Sequence, residues 1–212
     1  MWEWRIFFKE TYSNELKFSR EYREKLDNSS AEQRTDYYYD LSLPQLGLKE
    51  RGSSHEKMFK PILELKVLLE GKDWGAELWK KIIKYPISKS TNPDQGLARN
   101  DIIEILEYEK KGSPLEDKIE LIIGTLKERA PTRVKVQKNR AQIKDVYRFN
   151  HSRSMFKLER THVNIFEKDW YSVCIESPNA QLLRQFIKNQ ILNIPERILA
   201  GYPSFISNQR MK

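Results

Sequence analysis

Apolar and polar positions alternate at both ends of the chain and recur every three to four residues through much of its middle. "WEWRIFF" near the N-terminus alternates and is aromatic, which predicts a strand from the second residue. "SNELKFSREYREKLDNSS" spaces Leu16, Tyr22 and Leu26 among charges, as a short amphipathic helix running into a loop does. "RTDYYYDLSL", "LGLKER" and "ILELKVLL" return to strand pattern. From about residue 72 to 130 the period becomes helical, in "DWGAELWKKIIKY", "NDIIEILEYEKKG" and "PLEDKIELIIGTLKERA", punctuated by Asn92-Pro93 and Gly112-Ser113-Pro114. This predicts a helical insertion between strands, serving as a cover over the sheet or as a surface for a protein partner.

Strands resume after Pro131. "TRVKVQKNRAQIKDVYRF" reads as one continuous strand or as two joined by a tight turn at Lys138-Asn139. "MFKLERTHVNIF" and "DWYSVCIES" follow, with a turn containing Lys168-Asp169. "NAQLLRQFIKNQIL" predicts a closing helix, capped by Asn179 and carrying Leu182, Leu183, Phe186, Ile187 and Ile191 as its apolar stripe. The pattern predicts a single α+β domain over residues 1–212.

Within the strands, charged residues recur two apart, so each pair projects from one face. Lys49 and Arg51 form one pair and Glu64 and Lys66 another, opposite Leu48, Leu63, Leu65 and Val67. The same alternation groups Glu3 with Arg5, Lys138 with Arg140, and Glu159 with Thr161, and adds Glu176. Taken singly, each pair suits a solvated face with cross-strand ion pairs. Their recurrence on separate strands suits a closed antiparallel barrel with a polar lumen, where cations match phosphate oxygens and carboxylates hold Mg²⁺ or Mn²⁺.

Composition narrows the partners. The 212 residues carry 38 Lys and Arg against 30 Asp and Glu, a formal net charge of +8, which favours polyanions. Cys174 is the only cysteine, so an internal disulfide and a mainly thiolate zinc site are excluded. His55, His151 and His162 are scattered without ligand spacing. There is no long apolar run for a membrane span, and "MWEWRIFFKE" lacks the features of a signal peptide. The expectation is a soluble intracellular protein of the cytoplasm or an organelle matrix. Neither a phosphate-cradling Gly-rich loop nor a nucleophile elbow is present. Tyr37, Tyr38 and Tyr39 read as cross-strand packing rather than as a base-stacking platform.

Taken in order, the segments resemble the CYTH superfamily, the triphosphate tunnel metalloenzymes, which include thiamine triphosphatases, class IV adenylate cyclases, inorganic triphosphatases and RNA triphosphatases. "MWEWR" is similar to the family's Glu-x-Glu-x-Lys, with Glu3 and Arg5 at its second acidic and its basic positions. "LKER" resembles its Leu-Arg-x-Arg strand, Glu64-Leu65-Lys66 its Glu-Leu-Lys, "KNR" its Lys-x-Arg and "LER" its Leu-Asp-Arg. "CIE" resembles the last Glu-x-Glu, and "GYPSF" a Tyr-containing segment near the end. Met1 and Cys174 stand where the pattern has two further glutamates, which marks a divergent member.

The resemblance implies an eight-stranded antiparallel β-barrel around a tunnel, with flanking helices, and metal-dependent hydrolysis of a triphosphate-containing substrate. That substrate would be inorganic triphosphate, thiamine triphosphate, a nucleotide or an RNA 5′ end. It assigns phosphate binding to Arg5, Lys49, Arg51, Lys66, Lys138 and Arg140, and Mg²⁺ or Mn²⁺ to Glu3, Glu159 and Glu176. Lys66 and Glu64 would be the catalytic pair, Glu64 acting as a metal ligand or as the partner orienting Lys66. The alternative is a barrel that has lost turnover and binds polyphosphate, a nucleotide or RNA, or serves as a subunit of a larger assembly. General nucleic-acid binding by the basic surface is a third reading, marked by steep salt dependence.

Overall fold

The structure, a computed structural model, describes residues 1–11, 18–51, 61–87, 96–190 and 196–211, without the side chain of Gln190. Leu16, His55, Asn92-Pro93 and Ile191 lie outside the described residues. Eight antiparallel strands close into a barrel: β1 (Trp2–Phe8), β2 (Glu32–Asp40), β3 (Leu46–Arg51), β4 (Ile62–Gly71), β5 (Ala76–Pro86), β6 (Thr132–Phe149), β7 (Ser152–Ile165) and β8 (Lys168–Ser177). Their order is β5-β4-β3-β2-β6-β7-β8-β1, and pairing of β1 with β5 closes the ring. A two-residue strand, β9 (Ile198–Leu199), pairs with the far end of β1. The helices are α1 (Arg20–Asp27), α2 (Arg99–Lys110), α3 (Glu116–Glu128), α4 (Ala180–Gln190) and α5 (Tyr202–Arg210). Among the described residues no helix is long and apolar enough to cross a membrane.

The outer wall packs under helices on two sides. Leu48, Leu63, Leu65 and Ile83 meet Ile102 and Leu106 of α2 and Ile119, Ile122, Ile123 and Leu126 of α3. On the other side Trp4, Ile6, Phe8, Leu158, Val173 and Ile175 meet Tyr22 and Leu26 of α1 and Leu183 and Phe186 of α4. Asn179 caps α4 as its sequence predicts, its Oδ1 accepting from the Leu182 N–H at 3.0 Å.

Two local expectations are corrected. Among its described residues, the helical insertion predicted over residues 72–130 is helical only in α2 and α3, because "AELWKKIIKY" lies within β5. The cause is a register shift: Lys66 pairs with Lys81 while Leu65 pairs with Ile83, so Ile82 is an extra residue on β5. That slip breaks the two-residue alternation and spaces the apolar positions as a helix does. Trp74 and Trp79 therefore belong to the β4–β5 hairpin and not to a helical partner surface. The β7–β8 turn sits at Phe166 and Glu167, both at positive φ, two residues before the predicted Lys168-Asp169. "TRVKVQKNRAQIKDVYRF" is one continuous 18-residue strand.

The lumen divides along the barrel axis. At one end Phe7, Val134, Val136, Val163, Ile165 and Trp170 point inward and are covered by Tyr202, Phe205 and Ile206 of α5. Phe7 and Phe205 stack with ring centroids 3.8 Å apart. Gly201 lets α5 enter this closely, since a Cβ there would lie 2.7 Å from Glu77 Oε2 and 3.3 Å from the Trp79 ring. The apolar plug closes that end. Farther along the same strands the inward positions turn polar.

Candidate functional site

Alternation along the strands carries every predicted site residue to one cavity. Glu3, Arg5, Lys49, Arg51, Glu64, Lys66, Lys138, Arg140, Glu159 and Glu176 all line a lumen of about 540 Å³, within the range of small-molecule sites. Among the described residues, ten lysines and arginines line it against four glutamates. The added cations are Arg34, Lys80, Lys81 and Lys157.

One group of charges centres on Asp36, which is fully buried. Lys138 Nζ donates to it at 2.9 Å and Lys49 Nζ at 3.1 Å, and Arg34 Nε lies 3.0 Å away. Burial alone would raise the Asp36 carboxyl, but Lys138, Lys49 and Arg34 outweigh it and hold the group well below its usual range. Burial pushes the Lys138 ammonium down, an effect that Asp36 opposes and the neighbouring Lys49 and Arg34 reinforce. Beside this group Glu64 accepts from Arg51 at 3.2 Å and Lys81 at 2.7 Å, and Lys49 stands 3.8 Å off. Against the effect of burial, Lys49, Lys81 and Arg51 hold Glu64 at about 2.

The second group centres on Arg5. Its guanidinium donates to Glu3 at 3.0 Å, Glu159 at 3.2 Å and Ser172 Oγ at 3.1 Å. Arg140 donates to the other oxygen of Glu159 at 3.1 Å and reaches Glu32 at 2.9 Å. Lys66 stands 3.7 Å from Glu3, and Lys157 donates to Glu176 at 2.8 Å. Burial would raise Glu3, yet Arg5 and Lys66 hold it at about 2. Burial lowers Lys66, but Glu3 and Glu176 more than offset it, so Lys66 stays an ammonium. The floor is aromatic: Tyr202 stacks on Tyr38 at 5.4 Å, and Lys138 Nζ lies 3.8 Å from the Tyr202 ring centroid.

Glu64 is paired with Lys49, Arg51 and Lys81, whereas the ion pair of Lys66 is with Glu3. The expected Glu64–Lys66 partnership is replaced by pairs with other strands: Glu64 with the flanking β3 and β5, and Lys66 with β1, which lies beyond β5. Glu159 has both oxygens engaged by arginines and lies outside the cluster of close potential metal-ligand atoms. Among the described residues, that cluster is Glu3, Cys174 and Glu176, with ligand atoms within 4.8 Å of one another. Glu3 and Glu176 face each other in register on β1 and β8. Two carboxylates suffice for Mg²⁺ or Mn²⁺ when phosphate oxygens and water fill the remaining positions. The Cys174 thiol does not suit such an ion, because burial pushes its pKa up and keeps it neutral.

Sequence reasoning missed Asp36, Arg34, Lys80, Lys81, Lys157 and the wall position of Tyr38. Arg34, Asp36 and Tyr38 alternate on β2 just as the recognised pairs do, and Lys157 lies two residues before Glu159. Extending the two-residue rule one step would have found four of the six. Lys81 was hidden by the slip at Ile82.

The carboxylates give a pH prediction. Glu3 and Glu64 fall from an ordinary 4.5 to about 2 on folding, so the stability they contribute is complete above 4.5 and lost as pH falls towards 2. Urea midpoints should be level near neutrality and drop across that window. A flat profile between 4.5 and 2 would contradict these ion pairs.

No family model matches the chain, and no curated protein does. Among solved structures, a conserved hypothetical protein from Pyrococcus furiosus is similar at 17% identity and a TM-score of 0.39, covering 88% of this chain and 86% of that one. A protein from Bacillus halodurans proposed to be an adenylate cyclase is similar at 11% identity and a TM-score of 0.43, covering 92% and 93%.

Proposed function

We propose that the lumen binds the phosphate chain of a triphosphate-containing substrate and, with Mg²⁺ or Mn²⁺, hydrolyses it. The observation that carries this reading is the excess of cations around one cavity closed at its far end. A linear polyanion offsets that excess, and oxygens along its length match guanidinium and ammonium donors on both walls.

Arg5, Lys49, Arg51, Lys66, Lys138 and Arg140 would hold the non-bridging oxygens. Lys66, an ammonium in the lumen, would offset charge developing on the transferred phosphoryl group. Glu3 and Glu176 would hold the metal, which supplies Lewis-acid polarisation of a phosphoryl oxygen. Glu159 would fix Arg5 and Arg140 relative to each other, and Asp36 would do the same for Arg34, Lys49 and Lys138. Water is the nucleophile. Glu3 and Glu64 are too acidic to take its proton readily at neutral pH.

Phosphate release from inorganic triphosphate, thiamine triphosphate, ATP and 5′-triphosphate RNA, with Mg²⁺ or Mn²⁺, tests the reading. Turnover of at least one is expected, reduced about 10²-fold or more in Glu176→Gln. A second reading, a barrel retained for binding alone, is favoured by Met1 and Cys174 at two family carboxylate positions. Tight, Lys66-dependent tripolyphosphate binding without turnover would select it. Absence of both turnover and binding would reject both readings.

A further inference from the structure

β6 and β7 outrun their neighbours. β2 pairs with β6 only as far as Arg140, and β8 pairs with β7 only from Lys157 onward, so residues 141–156 project as a two-stranded ribbon. An isolated ribbon is marginal in water, but its outer face is anchored. Phe156 and Tyr147 pack on Phe186 of α4, and Asp145 forms an ion pair with Lys25 of α1 at 2.6 Å.

The opposite face continues the lumen wall outward from Arg140, Gln142 and Glu159. There Lys144 is directly opposite Lys157, Val146 opposite Met155, and Arg148 opposite Arg153. Like charges placed directly across a ladder repel, and of these four cations Lys157 is offset by Glu176 at 2.8 Å, which leaves Lys144, Arg148 and Arg153 uncompensated among the described residues. Lys144, Arg148 and Arg153 are exposed and make no ion pair with a described residue. Between the basic pairs Val146 and Met155 are 39% and 53% exposed. Lys144 and Arg148 are about 13 Å apart along the strand.

We propose that this face is the platform for the nucleotides that follow the 5′-triphosphate of a single-stranded RNA whose terminal phosphates occupy the lumen. The proposal rests on the lumen reading above and extends it to the class of substrate. A free triphosphate ends within the cavity and has no use for a surface beyond the mouth. RNA continues outward, with backbone phosphates for the two basic pairs and bases for the apolar step between them. A long inorganic polyphosphate would match the cations but not Val146 and Met155.

The test compares binding of a 3′-labelled 5′-triphosphate 12-mer, the same RNA with a 5′-hydroxyl, long-chain polyphosphate and inorganic tripolyphosphate. The proteins are wild type, the triple variant Lys144→Ala/Arg148→Ala/Arg153→Ala, the pair Val146→Ser/Met155→Ser, and Lys66→Ala. The triple variant is expected to weaken the 5′-triphosphate RNA at least tenfold, with a shallower salt dependence, and to leave tripolyphosphate unchanged. The serine pair should weaken the RNA without changing long-chain polyphosphate. Lys66→Ala should weaken tripolyphosphate and remove the preference for the triphosphate end. RNA affinity unchanged in the triple variant would overturn the platform, and so would loss of polyphosphate affinity alone. Failure of wild type to bind tripolyphosphate would instead overturn the lumen reading, whatever the ribbon does.

Discussion

Lys66→Ala is expected to weaken tripolyphosphate binding roughly ten- to hundredfold while leaving the fold intact. The side chain is 35% exposed on the lumen wall, and its one ion pair among the described residues, with Glu3, spans 3.7 Å. Its removal leaves Glu3 held by Arg5 at 3.0 Å, so no buried carboxylate is orphaned. A hydrogen bond to a charged group contributes about 1.5–3 kcal/mol, which sets the expected range. Isothermal titration with tripolyphosphate reads the loss directly, and thermal unfolding checks that the barrel survives. Unchanged affinity would remove Lys66 from the site.

Asp36→Ala should have the opposite profile, a large loss of stability that the ligand partly restores. Asp36 is completely buried among Lys138, Lys49 and Arg34. Deleting its charge leaves three cations crowded in the lumen, and breaking a buried pair in this way costs about 3–5 kcal/mol. A polyphosphate that enters the lumen replaces part of the lost negative charge. Tripolyphosphate is therefore expected to raise the melting temperature of Asp36→Ala by more than it raises that of wild type. Equal increments in the two proteins would mean that the anion binds away from this group. A full-stability Asp36→Ala would mean that the cations do not depend on it.

The barrel was legible because its two faces obey different chemistry. A strand such as "LELKV" shows apolar residues outward to a helix and charges inward, and the two-residue period makes that split visible in the sequence alone. The ten predicted site residues meet in one lumen for the same reason. Three features were not legible. Pair identity was one: Lys66 faces Glu3 on β1, not Glu64 on its own strand, since partners are set by the register of a closed sheet. The slip at Ile82 was another, because a single extra residue changes the apparent period of β5 from strand-like to helix-like. The closed end was the third, because the plug comes from Tyr202, Phe205 and Ile206, distant in sequence from the strands that they cover.

A crystal structure of the protein grown with tripolyphosphate and Mn²⁺ decides whether the lumen is a polyphosphate site. Phosphate density is expected inside the barrel, against Lys66, Arg140 and the basic wall of β3, with Glu3 and Glu176 beside the metal. Tripolyphosphate bound only on the outer surface, with the lumen cations still paired to Asp36 and Glu159, would contradict the lumen as the binding site.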